Sequence, residues 1–174
     1  MKKKAVFPGS FDPFTEAHKE LCIEASRFFD ITILICGNPN KDGGMFDLNT
    51  RKNIILDFVG EDSEGVEVVI WNGLVSDYCD KHDIEYVIRG IQYKNAAEEL
   101  DLSNIYYEES RLRTVFFPTY NPKNQYVSST RVREHILKGN DTWQQFVPFP
   151  CVDRISKYIQ NKENRKGCNY CSSK

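Results

Sequence analysis

Two short segments of the chain carry the residue types that bind phosphate groups. Residues 8–18 (PGSFDPFTEAH) combine a glycine and a hydroxyl with Thr15, a good helix cap, and His18 follows in the first helical turn. Residues 125–133 (QYVSSTRVR) place three hydroxyls at the start of a second helical pattern, before Arg131 and Arg133. The N–H groups and dipole at a helix N-terminus attract anions, and an imidazole beside them donates to a phosphate oxygen. Each segment alone is more often an ordinary helix cap, so its meaning depends on its place in the fold.

A third candidate is the pair Arg89-Gly90, which directly follows the apolar run YVI. A guanidinium in that place would reach a phosphate, and a glycine would let a ligand approach the backbone. The first loop contains neither GxGxxG nor GxxxxGKS/T, so a dinucleotide-type or P-loop phosphate cradle is not supported. The combination of cations, hydroxyls, His18 and two helix N-termini predicts a polyphosphate site.

The elements that must position these residues are short β-rich runs that alternate with helical patterns. Such alternation predicts right-handed βαβ units and an open parallel sheet. We therefore expect an α/β fold: a single Rossmann-like domain with an open parallel five-stranded sheet, helices on both faces and additional C-terminal helices. Predicted strands cover residues 4–7, 30–36, 66–71, 86–88 and 114–117, and predicted helices cover 15–29, 50–59 (capped by Thr50), 74–82, 96–110, 128–137 and 152–160.

The predicted sheet also predicts where a ligand would bind. Ligands of open parallel sheets lie at the carboxyl ends of the strands, where the strand order reverses. Both phosphate-type segments and Arg89-Gly90 follow predicted strands, so the fold would bring them to one edge. The domain is expected to span residues 1–160. Residues 161–174, with four basic residues and one acidic one, are expected to form a basic flexible tail.

Composition limits the class of partner. The chain is 40% apolar, which suits one core, and its net charge of −2 argues against nucleic acid held by bulk charge. No apolar run approaches the roughly 20 residues of a membrane span, and Pro8 and Gly9 interrupt the signal-like start, so we expect no membrane association and a cytoplasmic location. The six cysteines suit reduced thiols, and the CxxC of Cys168 and Cys171 has no second ligand pair for zinc.

The segments quoted above also resemble the signatures of a known enzyme family. PGSFDPFTEAH resembles the T/HxGH signature of the nucleotidyltransferase superfamily, and VSSTRVRE resembles its second signature, ISSSxxR or ISSTxxR. NPNK with MFDLNTR, WNGLVSDY, YVIRGIQ and FVPFPCV resemble, in this order, the corresponding stretches of the bacterial phosphopantetheine adenylyltransferases. The resemblance runs from about residue 4 to about residue 158 and is nearly ungapped.

This resemblance implies transfer of AMP from ATP to 4′-phosphopantetheine, which gives dephospho-coenzyme A and pyrophosphate. It implies that His18 and Lys41 are catalytic, with His18 at the α-phosphate and Lys41 as the bridging cation. The acceptor-binding residues that it implies are Ser10, Lys41, Leu74 and Arg89. The nucleotide-binding residues that it implies are Ser10, Phe11, His18, Gly90, Gln92, Glu99, Asn124, Tyr126, Val127, Ser128, Ser129 and Thr130.

The family further implies a divalent cation and self-association. Mg²⁺ is the expected ion, and it would come bound with the nucleotide because the chain shows no dedicated carboxylate cage. A homo-oligomer is expected, and analogy with the family makes it a hexamer.

Three positions on the nucleotide side depart from the family pattern. Ala17 replaces a glycine and Gln92 replaces an arginine. Leu100 stands where a glutamate contacts ATP, so Glu99 could serve there only after a slip of one residue. These departures leave ATP or CTP open as the nucleotide.

Two alternatives to this functional hypothesis stay open. One is a related nucleotidyltransferase with another phosphorylated acceptor, such as nicotinamide mononucleotide. Lys41 and Arg89-Gly90 favour 4′-phosphopantetheine as the acceptor. The other is a degenerate, non-catalytic module that binds a nucleotide or coenzyme A. The retention of His18, Lys41 and both hydroxyl-rich loops argues against that module.

Overall fold

A parallel sheet organises the described part of the chain. The computed structural model describes residues 2–37, 44–60 and 65–168. The strands there are β1 (Lys3–Gly9), β2 (Phe29–Cys36), β3 (Val66–Trp71), β4 (Tyr86–Ile91) and β5 (Arg113–Pro118). They pair in parallel in the order β3-β2-β1-β4-β5. The predicted open, parallel, five-stranded sheet of an α/β fold is confirmed.

Helices lie on both faces of this sheet. The described residues form α1 (Glu16–Ser26), α2 (Leu48–Val59), α3 (Val75–Lys81), α4 (Ala96–Ser110), α5 (Ser129–Leu137) and α6 (Phe149–Cys168). Successive strand residues point to opposite faces, so Phe7 joins one buried cluster while its neighbour Val6 joins another. The first cluster includes residues of α1, α2, α5 and α6, and the second includes residues of α3 and α4.

The strand order reverses between β1 and β4. The chain adds β2 and β3 on one side of β1 and then returns to place β4 and β5 on the other side. The ladder between β1 and β4 pairs Ala5 with Tyr86 and Val6 with Val87, whereas β1 pairs with β2 as far as Gly9. The carboxyl halves of β1 and β4 therefore flank the crevice where ligands of such sheets bind.

The predictions for the start of α2 and the end of β4 differ from the structure. The cap of α2 is Asp47, not Thr50, because the Asp47 carboxylate accepts the Thr50 N–H at 2.9 Å and the Thr50 hydroxyl at 2.6 Å. Strand β4 continues to Ile91 because Arg89, Gly90 and Ile91 pair with β5. Arg89 and Gly90 thus belong to the strand and do not follow it.

The last helix extends past the expected domain boundary. Helix α6 continues to Cys168, so the boundary between residues 160 and 161 lies inside it. Within this extension, the Lys162 ammonium donates to the Met45 carbonyl at 2.9 Å. Cys171 of the CxxC lies outside the described residues. No described helix combines the length and apolar character needed to cross a membrane.

Candidate functional site

The two hydroxyl-rich segments meet at one edge of the sheet, as the sequence predicts. The Thr15 side chain caps α1 by accepting the His18 N–H, and the Ser128 side chain caps α5 by accepting the Arg131 N–H at 3.3 Å. The next hydroxyl, Ser129 Oγ, donates to the Pro13 carbonyl at 2.8 Å, which ties the start of α5 to the loop after β1. The fold thus places two helix N-termini beside each other, an arrangement suited to anions.

His18 has a fixed orientation and tautomer in this edge. Its Nδ1 accepts the Thr15 backbone N–H at 3.1 Å and lies 3.0 Å from the Thr15 hydroxyl. Because Nδ1 is an acceptor, the proton of the neutral ring is on Nε2. None of the described residues forms a hydrogen bond with Nε2. His18 therefore keeps one N–H donor for a ligand.

Aromatic rings surround the imidazole and keep it uncharged. The ring centroids of Phe11 and Phe14 lie 5.1 and 5.4 Å from that of His18, and Phe7 lies at 6.1 Å. Burial, followed by the charge of Arg89, lowers the pKa of His18 to about 4. The imidazole is neutral near pH 7, so it acts as a hydrogen-bond donor and not as a cation.

The loop after β1 uses a left-handed turn to place Phe11 in the core. Phe11 has a φ of 45° and is 1% exposed, so the residue is buried in the core. A Cβ on Gly9 would lie 2.9 Å from the Phe11 ring, which explains the glycine. Ser10 is exposed, and its carbonyl accepts from the Arg51 guanidinium at 3.2 Å.

Asp12 anchors a second loop to this one, a role that sequence reasoning missed. Its buried carboxylate accepts the Met45 and Phe46 N–H groups at 3.0 and 2.9 Å and lies 3.3 Å from Arg51 Nε. Gly44 packs against this pair, because a Cβ there would lie 2.7 Å from the Asp12 carboxylate and would clash with the Arg51 guanidinium. The partners are more than 30 residues away in the chain, so no local pattern marks Asp12.

Lys41 itself lies outside the described residues, but the segment that begins at residue 44 is well anchored. Besides its bond to Asp12, Met45 accepts at its carbonyl from the Tyr158 hydroxyl and the Lys162 ammonium, both at 2.9 Å. The loop after β1 and helix α6 thus both contact Met45.

The arginines after the second segment are occupied by protein groups. Arg133 Nη1 donates to the Asp12 carbonyl at 2.6 Å, and Nη2 donates to the Thr130 hydroxyl at 3.2 Å. Arg131 stacks over the Phe146 ring at 5.0 Å. Both arginines thus contact protein groups next to the start of α5.

Arg89 and Glu99, expected on opposite substrates, form an ion pair. Arg89 Nε and Nη2 donate to the two Glu99 oxygens at 2.7 and 2.9 Å, while Nη1 donates to the Pro8 carbonyl at 3.1 Å. Asn95 Nδ2 also donates to Glu99 at 3.4 Å. In α4 the Glu99 side chain faces β4, and its carboxylate is the ion-pair partner of Arg89.

Gly90, Gln92 and Leu74 occupy different positions around the crevice. A Cβ on Gly90 would lie 2.9 Å from the Leu21 side chain, so this glycine lets α1 pack closely on β4. Gln92 donates from Nε2 to the Thr119 hydroxyl at 3.1 Å, which joins the ends of β4 and β5. Leu74 is 59% exposed before α3, where an apolar arm of a ligand could cover it.

The loop between β5 and α5 holds the remaining predicted residues. Asn124 is buried, and its amide donates to Glu20 of α1 at 2.7 Å. Val127 is buried while Tyr126 is 68% exposed. Glu20 is the second residue of this edge that sequence reasoning missed, since its partners are about 100 residues away. Of the predicted set, Ser128, Ser129 and Thr130 form the start of α5.

The described residues contain no protein metal centre of the usual kind. No group of three or more His, Cys, Asp or Glu side chains within them is arranged to hold an ion. Asp12 and Glu99, the buried carboxylates nearest the crevice, are both paired with arginines.

Comparison with known proteins places this site in a family. Residues 6–135 match the family model described as Cytidylyltransferase-like. A protein named phosphopantetheine adenylyltransferase from Psychromonas ingrahamii is 33% identical over 164 residues, which are 93% of this chain and 99% of that protein. A protein of the same name from Corynebacterium diphtheriae is 32% identical over 157 residues, 89% of this chain and 98% of that protein.

Solved structures give the same fold at lower identity. A bifunctional NMN adenylyltransferase/ADP ribose pyrophosphatase from Francisella tularensis superposes with a TM-score of 0.67 at 17% identity over 98% of this chain and 55% of that one. The nicotinic acid mononucleotide adenylyltransferase of Plasmodium falciparum superposes with a TM-score of 0.64 at 15% identity, over 91% of this chain and 96% of that one. At these identities, the likeness shows the fold alone.

Proposed function

Because the chain belongs to the phosphopantetheine adenylyltransferases of the cytidylyltransferase-like family, we propose that its crevice between β1 and β4 binds ATP and 4′-phosphopantetheine together. The enzyme is a nucleotidyltransferase: it transfers AMP to the acceptor and gives dephospho-coenzyme A and pyrophosphate in coenzyme A biosynthesis. An oxygen of the acceptor phosphate attacks the α-phosphorus, and the bond from that phosphorus to the β-phosphate oxygen breaks.

The observation that carries this proposal is the neutral His18 at the paired helix N-termini. Attack of a phosphate that is already ionised needs no general base, so catalysis depends on positioning and on stabilising the charge that develops. The Nε2–H of His18 donates to a non-bridging oxygen of the α-phosphate, while Nδ1 remains fixed by Thr15. This hydrogen bond becomes stronger as charge accumulates on that oxygen in the transition state.

The acceptor phosphate is assigned to Ser10, Lys41 and Arg89. Arg89 uses three of its five N–H donors on Glu99 and Pro8, which leaves two for a ligand. Its charge is largely offset by Glu99, and Arg131 and Arg133 contact protein groups. Lys41 is therefore the proposed source of positive charge that bridges the two substrates. Leu74 is assigned to the apolar part of the pantetheine arm.

The nucleotide is assigned to the other side of the crevice. Its triphosphate would contact Ser10, Phe11, His18 and the start of α5, and the rest would lie along the ends of β4 and β5. The residues proposed there are Gly90, Gln92, Asn124, Tyr126, Val127, Ser128, Ser129 and Thr130.

The ion, location and assembly are part of the same proposal. Mg²⁺ would enter with ATP, because the described residues offer no carboxylate cage, and it would offset phosphate charge. A cytoplasmic homo-oligomer, hexameric by analogy with the family, is proposed for the working enzyme.

The test is pyrophosphate release from ATP or CTP with 4′-phosphopantetheine, nicotinamide mononucleotide or no acceptor. We expect turnover with ATP and 4′-phosphopantetheine, and a large loss in His18→Ala. Turnover with nicotinamide mononucleotide alone would overturn the acceptor assignment. Binding of both substrates without turnover in any combination would instead identify a non-catalytic module.

A further inference from the structure

Glu20 holds the loop between β5 and α5 onto helix α1. Its Oε1 accepts the backbone N–H groups of Tyr120 and Asn121, both at 2.8 Å, and its Oε2 accepts from Asn124 Nδ2 at 2.7 Å. One carboxylate thus satisfies three donors of a single loop. Hydrogen bonds to an ionised acceptor are shorter and stronger than those between neutral groups.

This contact connects the two halves of the nucleotide side of the crevice. Glu20 lies two residues after His18 on α1, whereas the loop that it holds leads into the first turn of α5. The other fixed points of the loop are the hydrogen bond from Gln92 to Thr119 and that from Ser129 to Pro13. Between these points, Glu20 supplies the side-chain contacts that hold residues 120–124 against α1.

We propose that Glu20 is a positioning residue, which holds the loop leading to the N-terminus of α5 in place against α1 and so sets the affinity for the nucleotide. It acts through the loop and does not contact substrate. The proposal rests on the proposed function only in naming ATP as the nucleotide. The acceptor residues Ser10 and Leu74 lie on other segments, so their contacts would be unaffected.

The variants Glu20→Ala and Glu20→Gln separate position from charge. Alanine removes all three hydrogen bonds. Glutamine keeps an oxygen for the two backbone N–H groups, and its amide can donate to Asn124 once that side chain turns its oxygen toward it. Glu24→Gln is the matched control, because Glu24 is on the same helix and pairs with Arg27 at 3.5 Å, away from the loop.

The measurements are the ATP Kd by calorimetry, which needs no turnover, and the two KM values. Loss of these bonds is expected to raise the Kd and KM for ATP about 10- to 100-fold in Glu20→Ala, with Glu20→Gln within about 5-fold of wild type. The KM for 4′-phosphopantetheine and all values for Glu24→Gln should stay within about 2-fold.

Other outcomes would overturn the assignment. An ATP Kd of folded Glu20→Ala that equals wild type, or equal increases in both KM values, would show that the loop contact has no positioning role. Should Glu20→Ala not fold, Glu20→Asp replaces it, because the shorter side chain cannot reach all three donors; an unchanged ATP Kd in that variant overturns the proposal. Tight ATP binding without adenylyl transfer would contradict the proposed function and leave the Glu20 test intact.

Discussion

Removing the partner of Arg89 should destabilise the protein well beyond the usual effect of a surface change. The Arg89 side chain is 22% exposed and that of Glu99 is 11% exposed. Glu99→Ala removes the carboxylate and leaves the mostly buried guanidinium without its counter-ion. Breaking a buried ion pair by removing one partner costs about 3 to 5 kcal/mol, and the partial exposure of Arg89 places the expectation at about 3 kcal/mol. For a chain of this length, that corresponds to a decrease in Tm of about 6–12 °C.

The assay is urea and thermal unfolding of three variants beside wild type. Glu98→Ala is the control, because Glu98 is exposed on the same helix turn. The double variant Arg89→Met/Glu99→Leu removes both charges together and should recover most of the lost stability, since replacing a buried pair by apolar groups is nearly neutral. A Glu99→Ala protein within about 0.5 kcal/mol of Glu98→Ala would refute the inference that Glu99 is the structural counter-ion of Arg89.

Three further predictions concern Gly44, His18 and Lys41. Gly44→Ala places a Cβ 2.7 Å from the Asp12 carboxylate at a φ of 68°. Its free energy of unfolding should therefore fall about 1–3 kcal/mol further than that of Gly60→Ala, where φ is a similar 73° and the Cβ would lie in open space. Equal losses in the two variants would contradict the steric argument. The pKa of His18 is about 4 in the folded protein, below its value of 6.5 in the unfolded chain. Between these pH values the unfolded chain binds more protons, so the free energy of unfolding should fall as the pH decreases from 6.5 to 4. An NMR titration that gives His18 a pKa near 6.5 in the folded protein would contradict this prediction. Lys41→Ala should both raise the KM for the acceptor and lower kcat, because the cation is proposed to stabilise the bound substrates and the transition state. An unchanged kcat/KM would show that Lys41 is not part of the site.

The sequence predicts the sheet well because strands and helices alternate with regular periodicity. The sequence ends β4 too early, at Ile88, because glycine is typical of loops. Gly90 instead belongs to the strand, where the absence of a Cβ leaves room for the Leu21 side chain. The sequence also ends the last helix too early, because the polar residues after 160 carry no apolar pattern, although Lys162 binds the Met45 carbonyl.

The helix-capping residues of the site are also predictable from the sequence. Thr15, His18, Ser128 and Ser129 are found because capping patterns lie within a few residues of one another. Asp12 and Glu20 are missed because their donors lie far away in the chain.

Glu99 has an ion-pair partner, Arg89, that the sequence does not predict, for a related reason. Its position in the helical pattern gives the direction of the side chain only relative to its own helix. The contact with Arg89 depends on how α4 packs against β4, which the tertiary fold alone determines.

The most direct test of the account is kcat for His18→Ala and His18→Asn in a pyrophosphate-release assay with ATP and 4′-phosphopantetheine. A single donor to the developing charge is worth a factor of about 10² to 10³ in kcat, so His18→Ala should lose that much while its Kd for ATP changes little. His18→Asn, which offers an amide donor, should recover part of the rate. A His18→Ala enzyme with a kcat within about 3-fold of wild type would contradict the claim that the neutral imidazole stabilises the transition state.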